Sequence, residues 1–252
     1  MKTPPSRPPC ESCGKPWETS FGYYAFCPDC RLKREAKREN DQLELKAERR
    51  RDYIADHGWL PPSRFFETSL ENFNARLQPK AFALVKKFLA DPDKGLLLYG
   101  PPGVGKTHLA AAIYNHFEAQ WDAQKHRFPK ARFVREHDIF ARIRATFGKN
   151  SPEDKEPETE EQILEDYTCS QILIIDDLCK YSPADSSFRN RIYYELLDNI
   201  WSRDDSVLIL TANIGPDALE AELGSPIADR IRDLCVLCEM KGVSQRGKDK
   251  PA

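Results

Sequence analysis

The chain has 252 residues, with 38 Lys and Arg against 40 Asp and Glu, so its net charge is −2 although charged residues make up 31% of it. That balance excludes arguing a nucleic-acid partner from overall charge; such a partner has to be argued from local patches. No apolar run approaches 18 residues, and Met1-Lys-Thr-Pro-Pro-Ser-Arg-Pro-Pro9 carries no apolar signal core, which predicts no membrane partner and a cytoplasmic location.

In chain order, the first informative feature is four cysteines. Cys10-x-x-Cys13 and Cys27-x-x-Cys30, with 13 residues between the pairs, have the spacing of a four-thiolate zinc site, and Gly14 and Pro28 supply turn chemistry beside them. Two disulfides are the alternative, disfavoured in a cytosolic setting. Thirty residues cannot bury a stable apolar core, so residues 1–30 read as a module that a metal must staple. Residues 31–57 follow as a basic helix: Arg31 to Arg51 hold nine Lys and Arg against five Asp and Glu, with Leu32, Ala36, Leu43, Ala47 and Ile54 at roughly helical spacing. Gly58-Trp-Leu-Pro-Pro-Ser63 is a rigid linker, and the main domain spans 64–252.

That domain opens with a helix at 79–90 and a buried strand, Gly95-Leu-Leu-Leu-Tyr99. Gly100-Pro101-Pro102-Gly103-Val104-Gly105-Lys106-Thr107 comes next, and a helical run from His108 to Phe117 follows it. Strand, glycine-rich loop and helix in this order form a phosphate-binding loop. The glycines let successive backbone N–H groups point at a β-phosphate, Lys106 reaches the β- and γ-phosphates, and the Thr107 hydroxyl sits on Mg²⁺. The ligand is a nucleoside triphosphate.

Arg132 to Arg135 reads as a strand and Ile139 to Phe147 as a helix. Glu153 to Asp166, with eight acids and one lysine, reads as a solvated, partly disordered insertion. Ile172-Leu-Ile-Ile-Asp176-Asp177 is a strand buried on both faces, with two carboxylates at its C-terminal end, where open α/β sheets bind ligands. Asp176 is the Mg²⁺-side acid and Asp177 the candidate for polarising the attacking water, a turn with a helix cap being the alternative. A helix at 187–201 leads to the strand Val207-Leu-Ile-Leu-Thr211-Ala-Asn213, whose polar end can hydrogen-bond the water or the γ-phosphate or simply form a turn. Two short helices and a strand at 234–239 complete five strands alternating with helices, which predicts a parallel sheet covered on both faces. Arg230 and Arg232, two apart on the segment Ser225 to Arg232, face about 200° apart and cannot share one role. Cys169, Cys179, Cys235 and Cys238 read as buried small apolar residues rather than a second metal site.

The phosphate loop, the Ile-Leu-Ile-Ile-Asp-Asp177 strand, Thr-Ala-Asn213 and Ala-Asp-Arg230-Ile, in this order, resemble the AAA+ ATPases. Within them the chain is similar to the bacterial replicative helicase loaders of DnaC/DnaI type and to their IstB-like relatives. Phe65-Phe-Glu-Thr-Ser-Leu-Glu-Asn-Phe73 and the tail Met240-Lys-Gly-Val-Ser-Gln-Arg246 resemble that branch too. The resemblance covers about 64–246. It implies a P-loop NTPase of α/β class with a parallel five-stranded sheet, helices on both faces and no C-terminal lid. It further implies a slow, DNA- or partner-regulated ATPase that binds single-stranded DNA and a replicative DNA helicase. In such loaders ATP is held between copies in a homo-oligomer, which casts Arg230 as a catalytic arginine acting on a neighbour's nucleotide. A surface arginine paired to Asp229 or Asp233 is the alternative, and Arg232 is the next candidate. Many relatives carry Glu where this chain has Asp177. A transposition helper of IstB type and a zinc adaptor using ATP as a switch remain as other readings.

Overall fold

The computed structural model describes residues 9–15, 26–38, 41, 60–120, 130–147, 158–180, 186–203 and 205–246. The chain divides into two compact units, Met1–His57 and Gly58–Ala252. In the first, a knuckle forms around residues 10–15, where the Gly14 N–H donates to the Cys10 carbonyl (2.8 Å) with Gly14 at φ 68°. A helix, α1, spans 28–38. The basic helix expected over 31–57 therefore begins earlier, at the second cysteine pair, and its remainder beyond Asp41 lies outside the described residues.

The second unit carries a 3₁₀ turn at Ser63–Phe65, then α2 (Pro79–Ala90), β1 (Gly95–Tyr99), α3 (Lys106–Glu118), β2 (Ala131–Arg135) and α4 (Glu136–Arg144). After these come α5 (Glu160–Thr168), β3 (Ile172–Leu178), α6 (Ser186–Trp201), β4 (Val207–Ala212), α7 (Pro216–Leu223), α8 (Ser225–Leu234) and β5 (Cys235–Glu239). The strands form one parallel sheet in the order β2-β3-β4-β1-β5. Alternate residues of the central strands serve opposite faces. Leu96, Leu98, Ile172, Ile174 and Ile209 pack in one cluster with Val85, Leu109, Ile113 and Phe117 of α2 and α3. Leu97 points the other way, toward Leu219 of α7 and Ile231 of α8. Each such leucine or isoleucine taken from water contributes about 1.5–3 kcal/mol, which is why these strands are near-continuous apolar runs.

Two expectations are corrected. The helix expected at 139–147 begins at Glu136 and ends at Arg144, because Glu136 turns inward and is buried against Tyr193. The acidic segment is not a solvated insertion along its whole length. Residues 158–166 enter α5, which Thr159 and Gln162 cap reciprocally. Ile163, Leu164 and Tyr167 are buried, and the acids find cations: Glu158 pairs with Arg142, and Asp166 with Arg142 and the fully buried Arg132. Net charge hid an apolar stripe at i, i+1 and i+4. Residues 148–157 lie outside the described ones.

Candidate nucleotide-binding site

β1 delivers the chain to the loop 100–105, and α3 begins at Lys106 itself, with Gly105 left-handed at its N-terminal cap. The loop is closed over by the tail after β5. A Cβ on Gly100 would lie 2.0 Å from the Met240 carbonyl oxygen, and one on Gly103 would lie 2.1 Å from Ser244 Oγ. The Gln245 N–H donates to the Gly103 carbonyl at 2.9 Å. These two glycines are needed as much for the tail's close approach as for phosphate. Val104 is buried in the core, while Pro101 and Pro102 are exposed.

Lys106 is 5% exposed, and its ammonium donates to the carbonyls of Gly100 (2.7 Å) and Pro101 (2.9 Å). Burial pushes this lysine below its ordinary pKa, and the carboxylates of Asp177 and Asp176 pull it back. β3 brings Asp176 to the loop, where the Thr107 hydroxyl lies 2.9 Å from Oδ1 of Asp176. The Thr211 hydroxyl of β4 donates to the same oxygen at 2.6 Å and accepts from the Asp177 N–H at 2.9 Å. Thr211 thereby ties β4 to both acids, a role that the sequence marked only through its neighbour Asn213. Burial raises the Asp176 pKa and the nearby Asp177 carboxylate adds to this, against hydrogen bonds from Thr211 and Thr107. A hydroxyl and a carboxylate oxygen within 2.9 Å of each other form a hard oxygen pair suited to Mg²⁺.

A cavity of about 350 Å³ opens beside these groups. Lys106, Thr107, Asp177 and Asn213 line one part of it, so the structure gathers the loop, the second acid and the β4 terminus around one space. Arg64, Phe65 and His108 line another part, and Gln245 and Arg246 come from the tail. The sequence had flagged the Phe65 and Arg246 segments by likeness alone; their arrival at the cavity depends on long-range packing.

Arg230 is elsewhere. It does not belong to the described residues that line the cavity; its guanidinium stacks 4.1 Å above the Trp201 ring and donates to Asp198 at 2.8 Å, both on α6. The surface partner of Arg230 is thus neither Asp229 nor Asp233: Asp229 accepts from Arg232, and Asp233 accepts from the Trp201 indole. Arg232 also binds Glu220, so the two arginines do face different neighbours.

In the N-terminal unit, one sulfur from each of Cys10, Cys13, Cys27 and Cys30 lies within 4.8 Å of the others. The Cys27 N–H donates to the Cys10 sulfur at 3.3 Å and is the leading cause that lowers that thiol to about 6. Cys30, hydrogen-bonded first to the Cys27 sulfur and then to that of Cys13, is pushed up to about 12. As thiolates, four sulfurs this close would repel one another unless a cation neutralised them, and tetrahedral ligation of Zn²⁺ by four cysteine sulfurs is chemistry that this cluster fits. Of the other cysteines, Cys235 and Cys238 are buried, and burial raises all four.

A parallel sheet with a glycine loop closing on a lysine, and a threonine and an aspartate paired beyond it, defines a P-loop nucleoside triphosphatase. The sequence model "ATPase family associated with various cellular activities (AAA)" matches residues 96–233. The chain belongs to the AAA ATPase family. It is 26% identical over 164 residues to the insertion sequence IS232 putative ATP-binding protein of Bacillus thuringiensis subsp. berliner, an alignment covering 63% of this chain and 58% of that one. It spans 16% to 18% of three other curated proteins that it matches. Among solved structures, the DnaC helicase loader superposes with a TM-score of 0.56 at 22% identity, over 71% of this chain and 100% of that one. DnaI superposes with a TM-score of 0.53 at 25% identity, over 71% and 94%. These likenesses are of fold. No helix among the described residues is long and apolar enough to cross a membrane.

Proposed function

We propose that this chain is an ATP-dependent helicase loader, placing a ring-shaped replicative helicase on single-stranded DNA and hydrolysing ATP between copies of itself. The observation that supports this reading best is the match of the core to the helicase loader DnaC over that chain's full length. ATP phosphates lie against the amides of residues 100–107 with Lys106 on the β/γ side. Mg²⁺, when bound, offsets phosphate charge, and Thr107 and Asp176 hold it. Asp177 takes a proton from the attacking water, Asn213 orients that water or the γ-phosphate, and Arg230 serves the neighbouring copy. Zn²⁺ on Cys10, Cys13, Cys27 and Cys30 supplies the folding free energy of the N-terminal module, which grips the helicase.

A loading assay tests this. With ATP, the full-length protein should transfer a ring helicase from its own cell to circular single-stranded DNA, read as strand displacement, and Lys106→Ala should not. Active ATP hydrolysis with no transfer would overturn the loader reading. The likeness to the IS232 protein favours a second reading, a transposition helper, which instead predicts ATP-dependent assembly on duplex DNA.

A further inference from the structure

The segment after β5 runs back across the phosphate loop as a strap. The N–H of buried Met240 donates to the Tyr99 carbonyl at 2.8 Å, and the Gln78 side-chain amide donates to the Lys241 carbonyl at 2.5 Å. Gly242, at φ 118°, turns the chain; Ser244 then packs against Gly103, and the Gln245 N–H donates to the Gly103 carbonyl. The hydrogen bonds that seat the strap use its own backbone, so its course depends little on the side chain at position 246. It delivers Arg246 to the wall of the nucleotide cavity.

Among the described residues that line this cavity, Arg64, Lys106 and Arg246 are cations and Asp177 is the acid. An excess of positive charge in a concave site favours an anion. The three cations are not equally committed. The Lys106 ammonium donates to two carbonyls of the loop, and the Arg64 guanidinium lies 4.7 Å over the Phe65 ring. Arg246 is exposed and donates through its backbone N–H to Ser244 Oγ at 3.2 Å, while its guanidinium has no hydrogen-bond or ion-pair partner among the described residues. A guanidinium is a planar fork of donors matched to phosphate oxygens. Gly103, on which the strap is seated, belongs to the phosphate loop, so this cation enters on the phosphate side.

We propose that Arg246 binds the phosphates of the nucleotide held by its own chain, and that bound ATP in turn fixes the strap. The inference rests on residues 100–107 holding a nucleoside triphosphate. It gives each copy a cation for its own nucleotide, distinct from Arg230, which serves the neighbouring copy.

Equilibrium titration with ATP and Mg²⁺, on full-length wild type, Arg246→Gln, Arg246→Lys and Lys106→Ala, tests it. Arg246→Gln should weaken ATP binding about ten-fold, the size of one hydrogen bond from a charged donor. Arg246→Lys, which keeps the charge but not the fork, should lose less. Coupling between two sites is reciprocal, so ATP should also protect the strap. Saturating ATP should slow tryptic cleavage after Lys241, whose side chain is 77% exposed, in wild type and far less in Arg246→Gln. Without nucleotide the two proteins should melt together, because the guanidinium holds no other group. ATP affinity at the wild-type level in Arg246→Gln, equal protection in that variant, or a lowered Tm without nucleotide would each overturn the inference. Wild-type ATP affinity in Lys106→Ala would instead remove the loop as the nucleotide site, and the inference with it.

Discussion

Asp176 and Asp177 are adjacent in sequence yet face different chemistry. Asp176 is 2% exposed and bonded to Thr107 and Thr211, on the side where Mg²⁺ is expected; Asp177 opens on the cavity. Asp176→Ala should weaken Mg²⁺-dependent ATP binding, whereas Asp177→Ala should bind ATP and leave it unhydrolysed. Equal loss of binding in both, by equilibrium titration, would contradict the division. Glu136 gives a test in pH. Burial raises its pKa, opposed most by the Tyr193 hydroxyl at 2.8 Å. An acid whose folded pKa lies above its unfolded value binds more protons when folded, so its contribution to stability is lost as pH rises from the ordinary glutamate range through the raised value. Glu136→Gln keeps an acceptor for Tyr193 without the charge. Its Tm relative to wild type should therefore be higher at pH 8 than at pH 5, and a difference that is flat or reversed counts against this account.

At the scale of elements, caps and edges decide where helices start. The Thr159 hydroxyl accepts from the Gln162 N–H, and the Gln162 side chain accepts from the Thr159 N–H. Replacing Thr159 with Ala should cost about 0.5–2 kcal/mol in urea unfolding, without altering ATP affinity. An unchanged midpoint would mean that the cap does not hold α5. Elsewhere, α6 presents Asp198 and Trp201 to Arg230 of α8. This cradle limits the rotamers of a long side chain, so less freedom is lost when its planar fork meets an anion.

For the whole molecule, the separation of Arg230 from its own cavity makes assembly testable. Arg230→Ala should bind ATP but turn over poorly, and Lys106→Ala should bind ATP weakly. A mixture should regain activity, because one interface can then combine an intact loop with an intact arginine. Absence of rescue at every ratio, with assembly confirmed by sedimentation, argues against action between copies. The N-terminal unit supplies its own test. The purified chain should carry one Zn²⁺, and Cys13→Ser should lose it and unfold that unit while ATP affinity stays intact. Unchanged zinc content by elemental analysis would exclude the four-cysteine site.

The strands around the site were legible in the sequence because each carries a local signal: an apolar run closed by glycines at 95–105, another closed by acids at 172–177, and a third closed by polar residues at 207–213. Their types, and the parallel sheet that they form, follow from periodicity and alternation with helices. The cysteine spacing likewise carried the four-cysteine cluster. Contacts between segments far apart in the chain left no such signal. Thr211 as the bridge between the acids, the tail seated on Gly103, Glu136 buried under the β3 turn and Arg230 over Trp201 each depend on how the chain folds back on itself. The acidic segment shows the same limit: its charge pattern suggests solvation, whereas the sheet and helices around it bury Ile163, Leu164 and Tyr167, and β2 and α4 bring arginines to its acids. The sequence by itself determined the strands and the phosphate loop, because turns and apolar periodicity act over a few residues. The tertiary structure decided which polar groups meet, because a buried polar group takes whatever partner the packing brings within reach.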